Sequence, residues 1–200
     1  KIERWKNMAR IALGQSKMVS RPFAGFLHII VYIGFVVINI EVLEIVIDGL
    51  FGTHRVFQPL LGNTIYGFLI GTFEILAFLV LVAVILFWLR RNIIQLKRFM
   101  SKEMKGWPKN DGNLILYFEI VLMSLFIVMN ATDHTFQEAN IGNPISQFVG
   151  PWFSGYSLET LATIEHTAWW VHIIGILIFL NYLYYSKHLH ILLAFPNTFF

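Results

Sequence analysis

Residues 163–190 read TIEHTAWWVHIIGILIFLNYLYYSKHLH, an apolar run that carries His172 and His190 eighteen positions apart. On one uninterrupted α-helix, eighteen steps of about 100° complete five turns, so both imidazoles leave the same face. They would stand roughly 27 Å apart along the axis, against about 30 Å for a hydrocarbon core. The run therefore predicts a membrane-crossing helix with a histidine toward each end.

The rest of the chain fits that reading. Hydrophobic residues make up 56% and charged residues 14%, where soluble domains carry roughly 25% charged residues. Mean hydropathy is +0.64. Four apolar runs are long enough to span a bilayer, at about 23–47, 65–89, 113–132 and 163–187. Nineteen Phe, seven Tyr and six Trp supply lipid-facing bulk and interfacial anchors, Trp169-Trp170 among them. There is no cysteine, which excludes from this stretch a disulfide, a thioether-attached haem and a cysteine-ligated iron–sulfur cluster.

Charge sets the orientation. Lys1, Arg4, Lys6, Arg10, Lys17 and Arg21 precede the first run. Arg90, Arg91, Lys97, Arg98, Lys102, Lys105 and Lys109 lie between the second and third, and Lys187 follows the fourth. Only Arg55 falls on the other side, so the positive-inside rule makes both ends cytoplasmic. The expected fold is an all-α integral membrane protein, one domain over 1–200, with four spans in an antiparallel bundle. Residues 1–21 read as a basic amphipathic surface stretch, and 92–105 as a cytoplasmic extension of the second span. The turn-rich 106–112 ends that extension. The outer loop 133–162, with Pro144, Pro151 and Trp152, suits an interfacial or re-entrant segment. The chain opens on Lys1-Ile2-Glu3 and reads as excised from a longer polypeptide.

Three histidines carry the chemistry. His28 lies about seven residues inside the membrane from Arg21, and His190 just past the inner end of the last run. Histidine is a common axial ligand of haem iron. The pair could hold a haem between two helices near the inner leaflet, which points to a b-type cytochrome. Alternatively, each is a polar residue snorkelling or hydrogen-bonded inside the bundle. His172 would need a partner ten or eleven residues beyond His28, where Ile38 and Asn39 stand, or a loop histidine such as His54 or His134. Its other readings are a quinone or proton site, or a satisfied packing residue. His166 and His188, off the stacked face, could each bind a haem propionate but read rather as solvated or headgroup-contacting residues.

Four acids lie within the runs: Glu41 and Glu44 near the outer end of the first, Glu74 mid-second and Glu119 in the inner third. Intramembrane acids cost ~2.5–3.5 kcal/mol on insertion scales and so face the bundle interior. Glu41, Glu44 and Asn39 stand where a quinol would release protons outward, or where protonated carboxyls bond between helices. Gly34 and Gly71 mark close helix approach or room for a flat macrocycle.

Taken together, Gly25-Phe26-Leu27-His28, Trp169-Trp170-Val171-His172 and Tyr185-Ser186-Lys187-His188-Leu189-His190 resemble the cytochrome b module of nitrate reductase gamma subunits and heterodisulfide reductase membrane subunits. The likeness is greatest to bacterial versions fused ahead of a cysteine-rich iron–sulfur domain. It implies a five-helix module of the bacterial inner membrane, with a fifth helix before Lys1. It implies one haem b between His28 and His190, and a second at His172 only if another ligand replaces the histidine that the family's di-haem members have at the place of Ile38. It further implies electron transfer between a quinone, menaquinone by expectation, and cytoplasmic 4Fe-4S clusters. No nucleic-acid partner is expected.

Two other classes compete. A structural anchor docking a cytoplasmic enzyme would leave the histidines without cofactor. A proton-coupled transporter would use the buried acids, but inverted repeats and Gly/Pro-broken spans are missing. A membrane di-iron oxidase needs dense histidine clusters on one face, which seven scattered histidines do not supply.

Overall fold

The computed structural model describes residues 2–16, 22–99, 101–102 and 105–200, without the side chain of Arg98. The basic positions Lys1, Lys17 and Arg21 lie outside the described residues. Among the described residues the chain is helical and contains no strand. Four helices are long and apolar enough to cross a membrane: α2 (Pro22–Phe51), α3 (Phe57–Asn92), α4 (Trp107–Thr132) and α7 (Leu158–Leu183). Short helices complete the chain: α1 (Ile2–Met8), α5 (His134–Ala139), α6 (Ser146–Val149) and α8 (His190–Phe199). The expected all-α bundle of four spans is what the chain forms.

α3 is the centre of the bundle. Tyr66, Ile70, Phe73, Ala77, Val80 and Val84 recur at alternating spacings of four and three, and all are buried. They form the stripe that meets α2 on one side and α4 on the other. α4 in turn packs on α7. With lipid as solvent, close packing rather than apolar burial holds helices together, so small residues sit where backbones approach. Gly34 of α2 faces Val80 of α3, and Gly175 of α7 faces Leu122 of α4. The outward faces stay apolar: Phe68 is 80% exposed and Leu177 55%.

Cross-helix contacts set the levels. Arg90 stacks on Phe23, Trp88 Nε1 donates to Tyr117 at 3.1 Å, and Asn130 Nδ2 donates to Glu74 at 3.0 Å. Glu74 therefore stands beside the outer end of α4 and not at mid-membrane. The reason is the break at Gly62: the first turns of α3 fold against α2, where the Phe57 amide bonds Glu44, and the long run begins only after Gly62.

Three local expectations are corrected. α3 stops at Asn92 rather than continuing to 105, because Asn92 exchanges two side-chain hydrogen bonds with Asn113 (3.0 and 3.2 Å) and Gln95 turns left-handed. Beyond it the described residues hold a single 3-10 turn, Lys97–Phe99. Residues 107–112 are not a linker but the first turns of α4: Gly106 enters at φ 70° and Pro108 is tolerated in the first turn. The third correction concerns the last run. α7 ends at Leu183, a 3-10 turn Lys187–Leu189 follows, and α8 begins at His190. His172 and His190 thus do not share a helix. Asp111 of α4 causes the break, accepting Tyr182 Oη at 2.5 Å and the Lys187 amide at 3.0 Å. Ser186 then caps the new turn through the His188 amide.

The stretch 133–162 folds back on the bundle. Asp133 caps α5 by accepting the Phe136 amide, and Gly142, at φ 75°, presses against the Gly67 backbone of α3. At the other surface α1 lies along α8, with the Trp5 and Phe199 rings 4.9 Å apart.

Candidate functional site

The break after α7 decides the inner site. The turn carries His188 and His190 back toward α2, and their rings lie 5.9 Å apart. His28, on α2, lies within electrostatic reach of His188 and His190. His190 Nδ1 donates to the Lys187 carbonyl at 2.6 Å, which leaves Nε2 with a free lone pair.

His188 departs from its expected place. It packs edge-on to Phe179 at 5.5 Å instead of pointing to the headgroups. Burial pushes its imidazole down to about 4; His190 and His28 lower it further and Asp111 opposes them. Nothing but the non-helical turn brings two histidines two residues apart to one side.

The residues around this cluster suit a haem. Two neutral imidazoles are its usual nitrogen donors, and α2 and α7 pack on α3 and α4 far more closely than on each other. At the same end, the Arg90 guanidinium lies over the Phe23 ring at 5.0 Å. Its Nη1 is buried without a hydrogen-bond partner. A buried guanidinium nitrogen without a partner, over a ring five residues before His28 on α2, is what a carboxylate-bearing cofactor would complete.

His172 sits further out, 1% exposed, with Nδ1 donating to the Leu122 carbonyl at 3.0 Å. It faces a cavity of about 140 Å³ between α2, α4 and α7, whose lining includes Ile38, Asn39 and Glu119. The loop histidines considered as its partners are engaged elsewhere. His54 Nε2 pairs with Asp133 at 3.2 Å and His134 Nε2 approaches Glu138 at 3.5 Å. Asp133 is eleven residues of α4 outward from Leu122, about 16 Å along the axis. His166 is exposed and pairs with Glu165.

The acids gather in an outer polar cluster. Arg55, 8% exposed, donates to Asp133 (2.9 and 3.0 Å), Asn130 (3.1 Å) and Tyr66 (3.3 Å), and covers the Phe136 ring. Glu44 accepts the Phe57 amide at 2.8 Å and Tyr66 Oη at 3.0 Å. Glu74 accepts the Ile145 and Ser146 amides at 2.9 and 3.0 Å, which gives the folded-back loop its structural role. Glu41 differs: it is 3% exposed and its Oε2 has no hydrogen-bond partner. Sequence reasoning missed Arg55, Tyr66, Asn130 and Asp133. One signal was available: a single outer cation among so many acids needs to compensate them.

No protein-family model matches the chain, and no solved structure matches it. Among curated proteins, the "Probable iron-sulfur-binding oxidoreductase FadF" of Bacillus subtilis (strain 168) is 28% identical over 199 residues, 98% of this chain. Those residues are 26% of that relative, so the chain spans about a quarter of its length.

Proposed function

We propose that the chain is a haem b module of a membrane oxidoreductase, passing electrons between a membrane quinone and cytoplasmic iron–sulfur clusters. The observation that carries the reading is the turn tied to Asp111, which returns His190 to the level of His28 with its Nε2 free. His28 and His190 are the axial ligands in this reading, and Arg90 pairs with a propionate. Haem b, when bound, supplies a one-electron couple that needs no open coordination position. The chain's own part is positional. Lys187 fixes the His190 tautomer, Asp111 fixes the turn, and the apolar inner halves of α2 and α7 keep water from the iron.

The resemblance to nitrate reductase gamma and heterodisulfide reductase membrane subunits supports this reading, as does similarity to a relative named for iron–sulfur binding. The 4Fe-4S clusters belong to a domain in the same or an associated chain. Menaquinone is the proposed quinone and the bacterial inner membrane the proposed location, with both ends cytoplasmic on the charge pattern. Of the two outer acids expected on an outward proton route, Glu41 is the proposed carrier, and Glu44 beside it is held by two donors.

The test is haem content of the full-length protein. His28→Ala and His190→Ala each remove an axial ligand and abolish the low-spin b-type signal, while His188→Ala retains it. An intact signal in His28→Ala, or its loss in His188→Ala with retention in His190→Ala, overturns the ligand assignment. A colourless wild-type protein makes the module a structural anchor.

A further inference from the structure

The cavity beneath His172 has a polar end and an apolar continuation. Its polar groups are His172, Glu119 and Asn39, and the rest of its lining is apolar. A second cavity, about 330 Å³, runs outward along the same α2–α7 seam and shares Val42, Ile176 and Leu180 with the first. It has no ionisable side chain in its lining and ends where the Trp169 ring closes on Gly49. A compact polar pocket opening into a long apolar groove fits an amphiphile with a small ring headgroup and a hydrocarbon tail.

The hydrogen bonding says which form of headgroup. The Leu122 carbonyl can only accept, so Nδ1 of His172 carries the proton, and in the neutral ring Nε2 is an acceptor. Asn39 donates one amide N–H to the Phe35 carbonyl, which leaves its oxygen free to accept and its second N–H free to donate. The two acceptors, His172 Nε2 and the Asn39 oxygen, suit a ligand with hydroxyl donors. Ile38, opposite His172, offers iron no second ligand, and a space of this size does not admit a macrocycle.

We infer that the cavity lined by His172, Glu119 and Asn39 binds the dihydroxy headgroup of a quinol, with its isoprenoid tail along the groove bounded by Gly49 and Trp169. The inference rests on the proposed electron-transfer role and adds the substrate's place and redox form. His172 Nε2 accepts a hydrogen bond from one hydroxyl.

The experiment uses the full-length protein in detergent and a hydroxyquinoline N-oxide, a quinol analogue whose fluorescence is quenched on binding. Haem per chain is measured in the same samples. Val42→Phe, which blocks the junction of the two cavities, and His172→Phe, which removes the acceptor, each weaken probe binding tenfold or more. Haem content stays at the wild-type value in both. Rescue of binding in His172→Gln, which restores a polar side chain, supports the acceptor role. Undiminished binding in both Phe variants overturns the site, as does displacement of the probe by phospholipid but not by menaquinol. Loss of one of two haems in His172→Phe would make His172 an iron ligand and also overturn it. A protein without any haem that still binds the probe at this cavity refutes the haem reading and leaves the site standing.

Discussion

At the residue scale, one distinction matters most: which buried polar groups are satisfied. Glu44 is held by two donors and Glu74 by three, so both act as structural acceptors between elements. Glu41 lies among them with one carboxylate oxygen unpartnered, so it has capacity left for a proton. Glu41→Gln therefore slows quinol-driven reduction by an order of magnitude or more, leaving haem content and thermal stability close to wild type. Glu44→Gln instead costs about 1–3 kcal/mol of stability, since a tied buried acceptor is weakened. Stopped-flow reduction and thermal unfolding of the two variants separate these roles; equal turnover in Glu41→Gln and wild type removes Glu41 from the proton route. The acids were legible in the sequence as buried groups, because charge inside an apolar run stands out. Their division into free and tied was not, since it depends on Arg55, Tyr66 and the loop that folds back to Glu74.

At the element scale, the four spans followed directly from apolar run length, with ends displaced by a few residues. The stop after α7 did not. Residues 184–190, YYSKHLH, are more polar than the run before them but hold no Gly or Pro to stop a helix, and a partner on another helix, Asp111, ties down the turn that ends it. That contact lies outside any local pattern, as does the Asn92–Asn113 pairing that stops α3. The proposed pairing of His28 with His190 rests on depth counted along the chain, a quantity that does not depend on the helix path. The expected side for His188 was lost because it rested on helical phase. If Asp111 holds the turn, Asp111→Ala frees the Lys187 amide and Tyr182 hydroxyl and lets residues 184–190 fluctuate. Hydrogen exchange at those amides then quickens by at least tenfold, and haem retention falls although both ligands remain. Unchanged exchange with full haem retention would mean that the turn holds without Asp111.

At the scale of the whole molecule, the chain divides its charges between two ends. Arginines and histidines with free nitrogens lie at the inner end, and an interlocked set of carboxylates around Arg55 at the outer. The outer set makes stability depend on pH. The hydrogen bond to Asp133 holds the His54 imidazole above its usual 6.5, against the opposing effect of burial. Burial alone would raise Asp133, but the His54 bond, the Arg55 charge and the Phe136 amide bring it well below the usual carboxylate range. A group raised on folding stabilises below its unfolded value and loses that contribution as pH climbs through the folded one. For Asp133 the sense is reversed: its contribution is present above its ordinary 3.8 and is lost as acid titrates the folded carboxylate. The outer cluster is thus firmest between those limits. Thermal midpoints fall as pH rises from 6.5 through the folded imidazole's own value, and His54→Gln flattens that fall; a profile that is the same in both proteins would take His54 out of the linkage.

A dithionite-reduced minus oxidised spectrum, with extracted haem counted per chain, decides whether this bundle binds a b-type haem through His28 and His190. One low-spin b-type haem per chain is expected, lost on replacing either histidine. A chain with no haem, or with two that both survive His28→Ala, would contradict it.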